Sequence, residues 1–185
     1  MCGVPARAGA LPELPRLVRR RDSEVNAMER IWAPWRSAYV GRGAPEGCIF
    51  CDKPAAGDDR LNHIVVRGES CFSMLNRYPY NNGHLMVAPF RHAAGLEELT
   101  SAELHQLILL VKDSVALLKT ALSPAGFNVG INLGMAAGAG VAGHLHVHLV
   151  PRWEGDTNFM PVTAGTKVIP QSLDEMYALL RGGKK

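Results

Sequence analysis

Three histidines alternate with apolar residues in one short stretch of the chain, residues 143–153. His144, His146 and His148 occupy every second position, and the residues between them are aliphatic. Because successive side chains of an extended strand point to opposite faces, this pattern predicts a β-strand with three imidazoles on one face. The aliphatic face of the same strand can then pack on a hydrophobic core.

Three imidazoles on one face favour chemistry over a chance cluster, because histidine exchanges protons near neutral pH. The residues alone leave two interpretations open. In the first, the three rings form a catalytic metal site, since neutral imidazole is a common ligand. In the second, His146 is a nucleophile and a protonated His148 holds a phosphate oxygen. Two strand residues advance about 6.6–6.8 Å, so neighbouring imidazoles can bracket one phosphate.

The charge of the chain is small and unevenly distributed. Of the net charge of +3, residues 1–27 carry +2, with five arginines against three acidic residues. The nearly neutral remainder argues against a nucleic-acid partner. No apolar run approaches the roughly 20 residues that span a bilayer, so we expect no membrane partner. Four cysteines in a chain of 185 residues do not make a disulfide scaffold, and we expect a cytoplasmic protein.

The chain divides into an N-terminal extension and one domain. Residues 1–27 contain several Pro, Gly and Arg residues and few periodic apolar positions, which predicts a disordered extension. An alternative is that translation starts at Met28, where the sequence changes character. Residues 28–185 are predicted to form a single α+β domain.

We predict that this domain consists mainly of short strands and one long helix. Turn residues separate the predicted strands, which cover residues 63–67, 71–75, 84–89 and 127–133 in addition to the histidine strand. The long helix is predicted to begin after Thr100, which forms a capping-box pattern with Glu103, and to stop at Ser123. A short helix is predicted at Leu173–Leu180.

The residues from His144 to Val150 read His-apolar-His-apolar-His-apolar-apolar, and this motif resembles the histidine triad (HIT) family of nucleotide hydrolases and transferases. The resemblance implies a HIT fold, with a five-stranded antiparallel sheet, one long helix and a short C-terminal helix. It also implies a homodimer that extends the sheet. By the same resemblance His146 is the residue that becomes nucleotidylated, with His144 and His148 as its catalytic neighbours.

Three further stretches match the family's substrate-binding positions. An Asn-to-Gly-His run at residues 76–84 resembles the segment whose Asn contacts ribose and whose His lies near the phosphates. The small-residue loop before the triad resembles a loop that cups phosphates, although residues 140–142 lack the hydroxyl that many relatives have there. Backbone amides would have to replace it. The substrate-binding residues implied by the resemblance are Asn76, His84, Asn132, Gly138, Ala139, Gly140, Trp153 and Phe159.

The run after the triad is the third of these stretches, and it narrows the resemblance to one branch of the family. Residues 151–159 read Pro-Arg-Trp-x-Gly-Asp-x-Asn-Phe, which is similar to the bacterial HIT branch that includes diadenosine-tetraphosphate phosphorylases. Trp153 and Phe159 are candidates for stacking on or near a base. Packing in the core or at a dimer interface is the alternative for both rings.

Cys48 and Cys51 have the spacing of metal ligands, but zinc needs about four ligands and no second Cys-x-x-Cys exists. In HIT members that carry this pair, the resemblance implies that His92 and His144 complete the site. We therefore expect a structural zinc, distant from the nucleophile, and no organic cofactor. The alternative is a reduced, partly buried thiol pair.

The predicted activity is nucleotidyl transfer from a dinucleoside polyphosphate, through an adduct on His146, to water or orthophosphate. Diadenosine tetraphosphate is the favoured substrate by resemblance. Two alternatives remain, namely hydrolysis of nucleoside phosphoramidates and a non-catalytic regulator that binds a nucleotide or zinc.

Overall fold

One antiparallel sheet organises the part of the chain that the computed structural model describes, residues 47–157 and 168–182. Its five strands lie in the order β1-β2-β3-β5-β4. The strands are β1 Ile64–Arg67, β2 Cys71–Leu75, β3 Leu85–Pro89, β4 Gly126–Ile131 and β5 Val147–Arg152. The predicted five-stranded antiparallel sheet is confirmed. The predicted extension at residues 1–27 lies outside the described residues.

Three α-helices accompany the sheet in the described ranges. They are α1 Ile49–Ala55, α2 Ser101–Leu122 and α3 Leu173–Leu180. The long helix and the C-terminal helix confirm the sequence prediction, whereas α1 was not predicted. It is only 7 residues long and contains a proline, so it offers too few turns for a helical period to show in the sequence. None of the described helices has the length and apolarity that crossing a bilayer requires.

The long helix begins and ends where its sequence signals indicate. The Thr100 hydroxyl accepts a hydrogen bond from the Glu103 N–H at 3.2 Å, and the Glu103 carboxylate accepts one from the Thr100 N–H at 2.8 Å. These reciprocal bonds satisfy two of the backbone donors that a helix start leaves unpaired. The helix ends at Leu122 and is followed by Ser123, which adopts a left-handed conformation with φ +47°.

The two faces of the sheet pack on different hydrophobic clusters. The larger cluster joins Leu107 and Leu118 of α2 to Leu145, Val147 and Leu149. A smaller cluster on the other face contains Phe50 of α1 with residues of β2 and β3. The predicted alternation is therefore confirmed, because the aliphatic residues of the triad segment face the long helix and the histidines face the other way.

The triad strand is shorter than predicted. The hydrogen-bonded part of β5 begins at Val147, so His144 and His146 precede the ladder. The neighbouring strand β3 ends at Pro89, and the Pro89 carbonyl accepts a hydrogen bond from the His144 ring instead of from a strand amide. A proline cannot donate to a ladder, which explains why the sheet pairing stops at this point.

Candidate active site

The pairing of β3 with β5 places His84 beside the triad. His84 is fully buried just before β3, and its Nε2 lies 3.0 Å from Nδ1 of His148. The Tyr80 N–H donates to Nδ1 of His84 at 3.1 Å, and Nδ2 of Asn76 lies 3.4 Å from the same atom. Because Nδ1 of His84 accepts, its proton lies on Nε2 and is donated to His148. The remaining proton of a neutral His148 then lies on its outer Nε2.

The environment keeps His84 uncharged. Burial, followed by the neighbouring charges of His148 and His146, lowers the pKa of His84 from 6.5 to about 3. A neutral His84 therefore acts as a fixed hydrogen-bond donor throughout the physiological pH range.

His146 has its inner nitrogen on the backbone and its outer nitrogen unprotonated. Its Nδ1 lies 2.8 Å from the carbonyl oxygen of His144, which can only accept, so Nδ1 carries the proton. The residue is 4% exposed, and burial lowers the pKa of His146. The rings of His146 and His148 meet edge to face at 4.8 Å between centroids. A lone pair on Nε2 of His146 thus lies next to a proton donor, an arrangement suited to attack on a phosphorus and protonation of an oxygen.

The His144 ring has different neighbours from the other two triad rings. Its Nε2–H donates to the Pro89 carbonyl at 2.9 Å, and its Nδ1 lies 3.2 Å from Sγ of Cys48 and 3.5 Å from Sγ of Cys51. The backbone carbonyl of His144 accepts a hydrogen bond from His146, whereas the imidazole of His144 contacts Cys48 and Cys51.

Four side chains form a candidate metal centre, with donor atoms that all lie within 4.8 Å of one another: Cys48, Cys51, His92 and His144. Two thiols and two imidazoles are a donor set typical of structural zinc. The Pro89 carbonyl fixes the tautomer that turns a lone pair of His144 toward the thiols, as outer-shell partners of zinc-binding histidines do. The residues therefore fit zinc.

The Phe50 ring lies beside both the candidate metal centre and the proposed nucleophile. It lies 5.2 Å from the ring of His144 and 4.7 Å from that of His146. Phe50 belongs to α1, which follows Cys48 directly and packs on the histidine face of the sheet. A zinc ion distant from the nucleophile stays a prediction.

In the loop before the triad, two of the three residues predicted to bind phosphate use their backbone amides in hydrogen bonds within the loop. Gly138 has φ +85°, a conformation that favours glycine, and its N–H donates to the Met135 carbonyl at 2.9 Å. The Ala139 N–H donates to the Gly134 carbonyl at 3.3 Å. Within the described part of the chain, the Gly140 amide is the one of the three that makes no such backbone bond.

The other predicted substrate-binding residues that the structure describes lie just after strands β2, β4 and β5. Asn76 accepts a hydrogen bond from the Tyr78 N–H at 2.9 Å, which shapes the turn beside His84. Asn132 follows β4 and is half-buried, as is Trp153 after β5. Phe159 lies outside the described residues.

Sequence reasoning missed the function of Asp156 in the run after the triad. Its carboxylate accepts hydrogen bonds from the Arg152 guanidinium, from the buried Asn81 at 2.8 Å and from the Trp153 N–H at 3.3 Å. The ion pair with Arg152 holds the pKa of Asp156 well below its usual range. The Arg-Trp-x-Gly-Asp spacing was the available signal, since it predicts a turn with an i, i+4 ion pair.

Comparisons with known proteins agree with this geometry. A family model described as the HIT domain matches residues 60–155. An AP-4-A phosphorylase from Mycobacterium tuberculosis (strain H37Rv) is 41% identical over 170 residues, covering 87% of each chain. A bis(5'-nucleosyl)-tetraphosphatase (asymmetrical) from Schizosaccharomyces pombe is 32% identical over 95 residues, covering 51% of this chain and 52% of the relative. Among solved structures, a hypothetical histidine triad nucleotide-binding protein from Sulfolobus tokodaii has a TM-score of 0.61 at 27% identity, covering 74% of this chain and 91% of its own.

Proposed function

This chain belongs to the histidine triad (HIT) family, and from that membership we propose that it cleaves dinucleoside polyphosphates by nucleotidyl transfer through His146. The observation that carries the proposal is the fixed tautomer of His146, whose Nδ1–H donates to the His144 carbonyl and leaves Nε2 free for attack. Similarity to an AP-4-A phosphorylase over 87% of the chain favours diadenosine tetraphosphate as the substrate.

The first step is attack of Nε2 of His146 on a phosphorus that carries an adenosine. A P–N bond forms and the P–O bond to the leaving nucleotide breaks, giving an adenylyl-His146 and ATP. The attack makes the His146 ring cationic, and the His144 carbonyl stabilises that charge through the Nδ1–H bond. His148, whose Nδ1 accepts from His84, presents its outer Nε2–H to the phosphate oxygens or to the leaving oxygen.

The second step transfers the adenylyl group from His146 to an acceptor. An oxygen of the acceptor attacks the phosphorus, the P–N bond breaks and His146 returns to its neutral form. Water as acceptor gives AMP, whereas orthophosphate gives ADP. The overall products are therefore ATP with either AMP or ADP.

We propose that Cys48, Cys51, His92 and His144 hold a structural zinc ion. Bound zinc would supply folding free energy by joining α1 to the segment before β5. Through His144 it would also fix the backbone carbonyl that orients His146. The protein's own residues perform the transfer.

The test is a product assay with diadenosine tetraphosphate, with and without orthophosphate. ADP plus ATP that appear only with phosphate identify a phosphorylase, and AMP plus ATP without phosphate identify a hydrolase. Formation of neither product pair would exclude the proposed substrate and favour the alternative of nucleoside phosphoramidates. A protein that binds a nucleotide but turns none over would favour the alternative of a non-catalytic regulator.

We further propose a homodimer that extends the sheet through β4. Among the described strands it lies at an edge of the sheet, where its outer backbone groups pair with none of the other described strands. Apolar side chains around it are exposed, with Val129 at 50% and Met135 at 82%. Light scattering should show V129K as a monomer and the control L61K, at an apolar residue that is 74% exposed, as a dimer. We also propose a cytoplasmic location, because none of Cys48, Cys51 and Cys71 forms a disulfide bond.

A further inference from the structure

Phe50 lies between the candidate metal centre and the nucleophile. The residue is fully buried in α1, flanked in sequence by Cys48 and Cys51. Its ring stacks on the His146 ring with centroids 4.7 Å apart and planes inclined by 28°. The same ring lies 5.2 Å from the ring of His144. One aromatic side chain thus contacts the proposed nucleophile and a residue of the metal centre.

We propose that Phe50 is the positioning residue of the nucleophile, holding the plane of the His146 imidazole so that Nδ1 stays on the His144 carbonyl and Nε2 faces the substrate. This inference rests on the proposed function of His146. A single hydrogen bond fixes one atom of a ring, while the torsion that sets the ring plane is intrinsically broad. A second ring stacked on its face restricts that torsion and excludes water from one side of the nucleophile.

The surroundings of Phe50 make its position well determined. Phe72 lies 6.5 Å from it between ring centroids and belongs to the same buried cluster. Cys48 and Cys51 fix α1 on both sides of the ring by their contacts with His144 and His92. A shift of Cys48 and Cys51 would therefore move Phe50 and, through it, the ring of His146.

The kinetic test compares F50L with F72L. Both residues are 0% exposed and share one cluster, but Phe72 makes its ring contacts with Phe50 and Phe90. We expect both variants to lose similar stability. In F50L, kcat should fall on the order of 10- to 100-fold with KM nearly unchanged, because a small misplacement of a reacting group can cost that much. F72L should keep kcat close to that of the parent. Equal values of kcat in the parent, F50L and F72L would overturn the proposal.

A spectroscopic test does not depend on any substrate. Long-range 1H–15N spectra of the free protein report the tautomer of each histidine ring, and a stacked phenyl ring displaces the proton signals of its neighbour. In F50L, and in F50M should F50L not fold, the His146 signals should lose that displacement and move toward a mixture of tautomers. F72L should leave them in place. Unchanged His146 signals in both Phe50 variants would overturn the positioning role, whereas inactivity of the parent toward every nucleotide would overturn only the proposed function.

Discussion

The Nδ1 atom of His146 lies 2.8 Å from the backbone carbonyl oxygen of His144, two residues earlier in the chain. The partner that fixes the tautomer is therefore part of the same extended segment and needs no separate acidic side chain. Burial lowers the pKa of His146 and outweighs the hydrogen bond to the His144 carbonyl, which raises it, so the ring is oriented while its pKa stays below the ordinary value. The uncharged Nε2 is the form of imidazole that attacks an electrophile.

Replacement of His146 with Asn should abolish turnover of diadenosine tetraphosphate. Removal of a catalytic nucleophile costs on the order of 10⁴-fold or more in kcat, and an Asn side chain cannot form the adduct. Nucleotide binding should persist, because the other polar groups of the site remain. The matched control is H105N on the exposed face of α2, which should keep full activity. Turnover by H146N at the parental rate would remove His146 from its proposed role.

Elements with strong local signals could be predicted from the sequence. The capping box at Thr100 and Glu103 specifies the hydrogen bonds at the start of α2. The alternation through Val147 specifies which face of the strand is buried. Each signal depends on residues within a few positions of one another, where period and side-chain chemistry are sufficient.

Contacts that depend on distant pairing could not be predicted in the same way. The hydrogen bond from His84 to His148 exists because β3 pairs with β5, and their 64-residue separation leaves no periodic trace. The Phe50 contact with His146 likewise depends on how α1 packs on the sheet. The resemblance placed His84 near the phosphates, but its role as a donor to His148 required the register of the strands.

Acidification should destabilise the protein through His84. The folded pKa of about 3 lies below the ordinary value of 6.5, so between these pH values the unfolded chain binds a proton that the folded chain does not. The contribution of His84 to the free energy of unfolding is fully present above pH 6.5. It decreases as the pH falls toward 3, by about 1.4 kcal/mol per pH unit. Urea unfolding at several pH values measures this slope.

The matched variant for this experiment is H84Q, whose amide can still donate to His148. Its free energy of unfolding should depend less steeply on pH than that of the parent, by about one proton. Groups remote from His84 that titrate in the same range affect both proteins equally. Identical slopes for the two proteins would show that His84 is protonated in the folded state.

Substitution C48S should remove the metal. The parent should carry about one zinc ion per chain, as a four-ligand structural site does, and C48S should carry a small fraction of that with a lower Tm. The control is C71A, since Cys71 is a buried thiol of β2 that lies outside the metal cluster. It should keep its zinc although it also loses stability. Equal zinc content in C48S and the parent, measured by elemental analysis, would contradict the assignment of Cys48 as a ligand.

Replacement of Ser114 with Ala should stabilise the fold. Ser114 lies in α2 at 1% exposure, and its hydroxyl has no hydrogen-bond partner among the described residues. Burial of an unpaired hydroxyl costs free energy, and alanine is the better helix former. We expect a gain of about 1 kcal/mol, equivalent to a rise of roughly 2–4 °C in Tm. The same change at the exposed Ser101 should have a smaller effect, because water already solvates that hydroxyl. A lower Tm for S114A would mean that a buried water molecule satisfies Ser114 in the native protein.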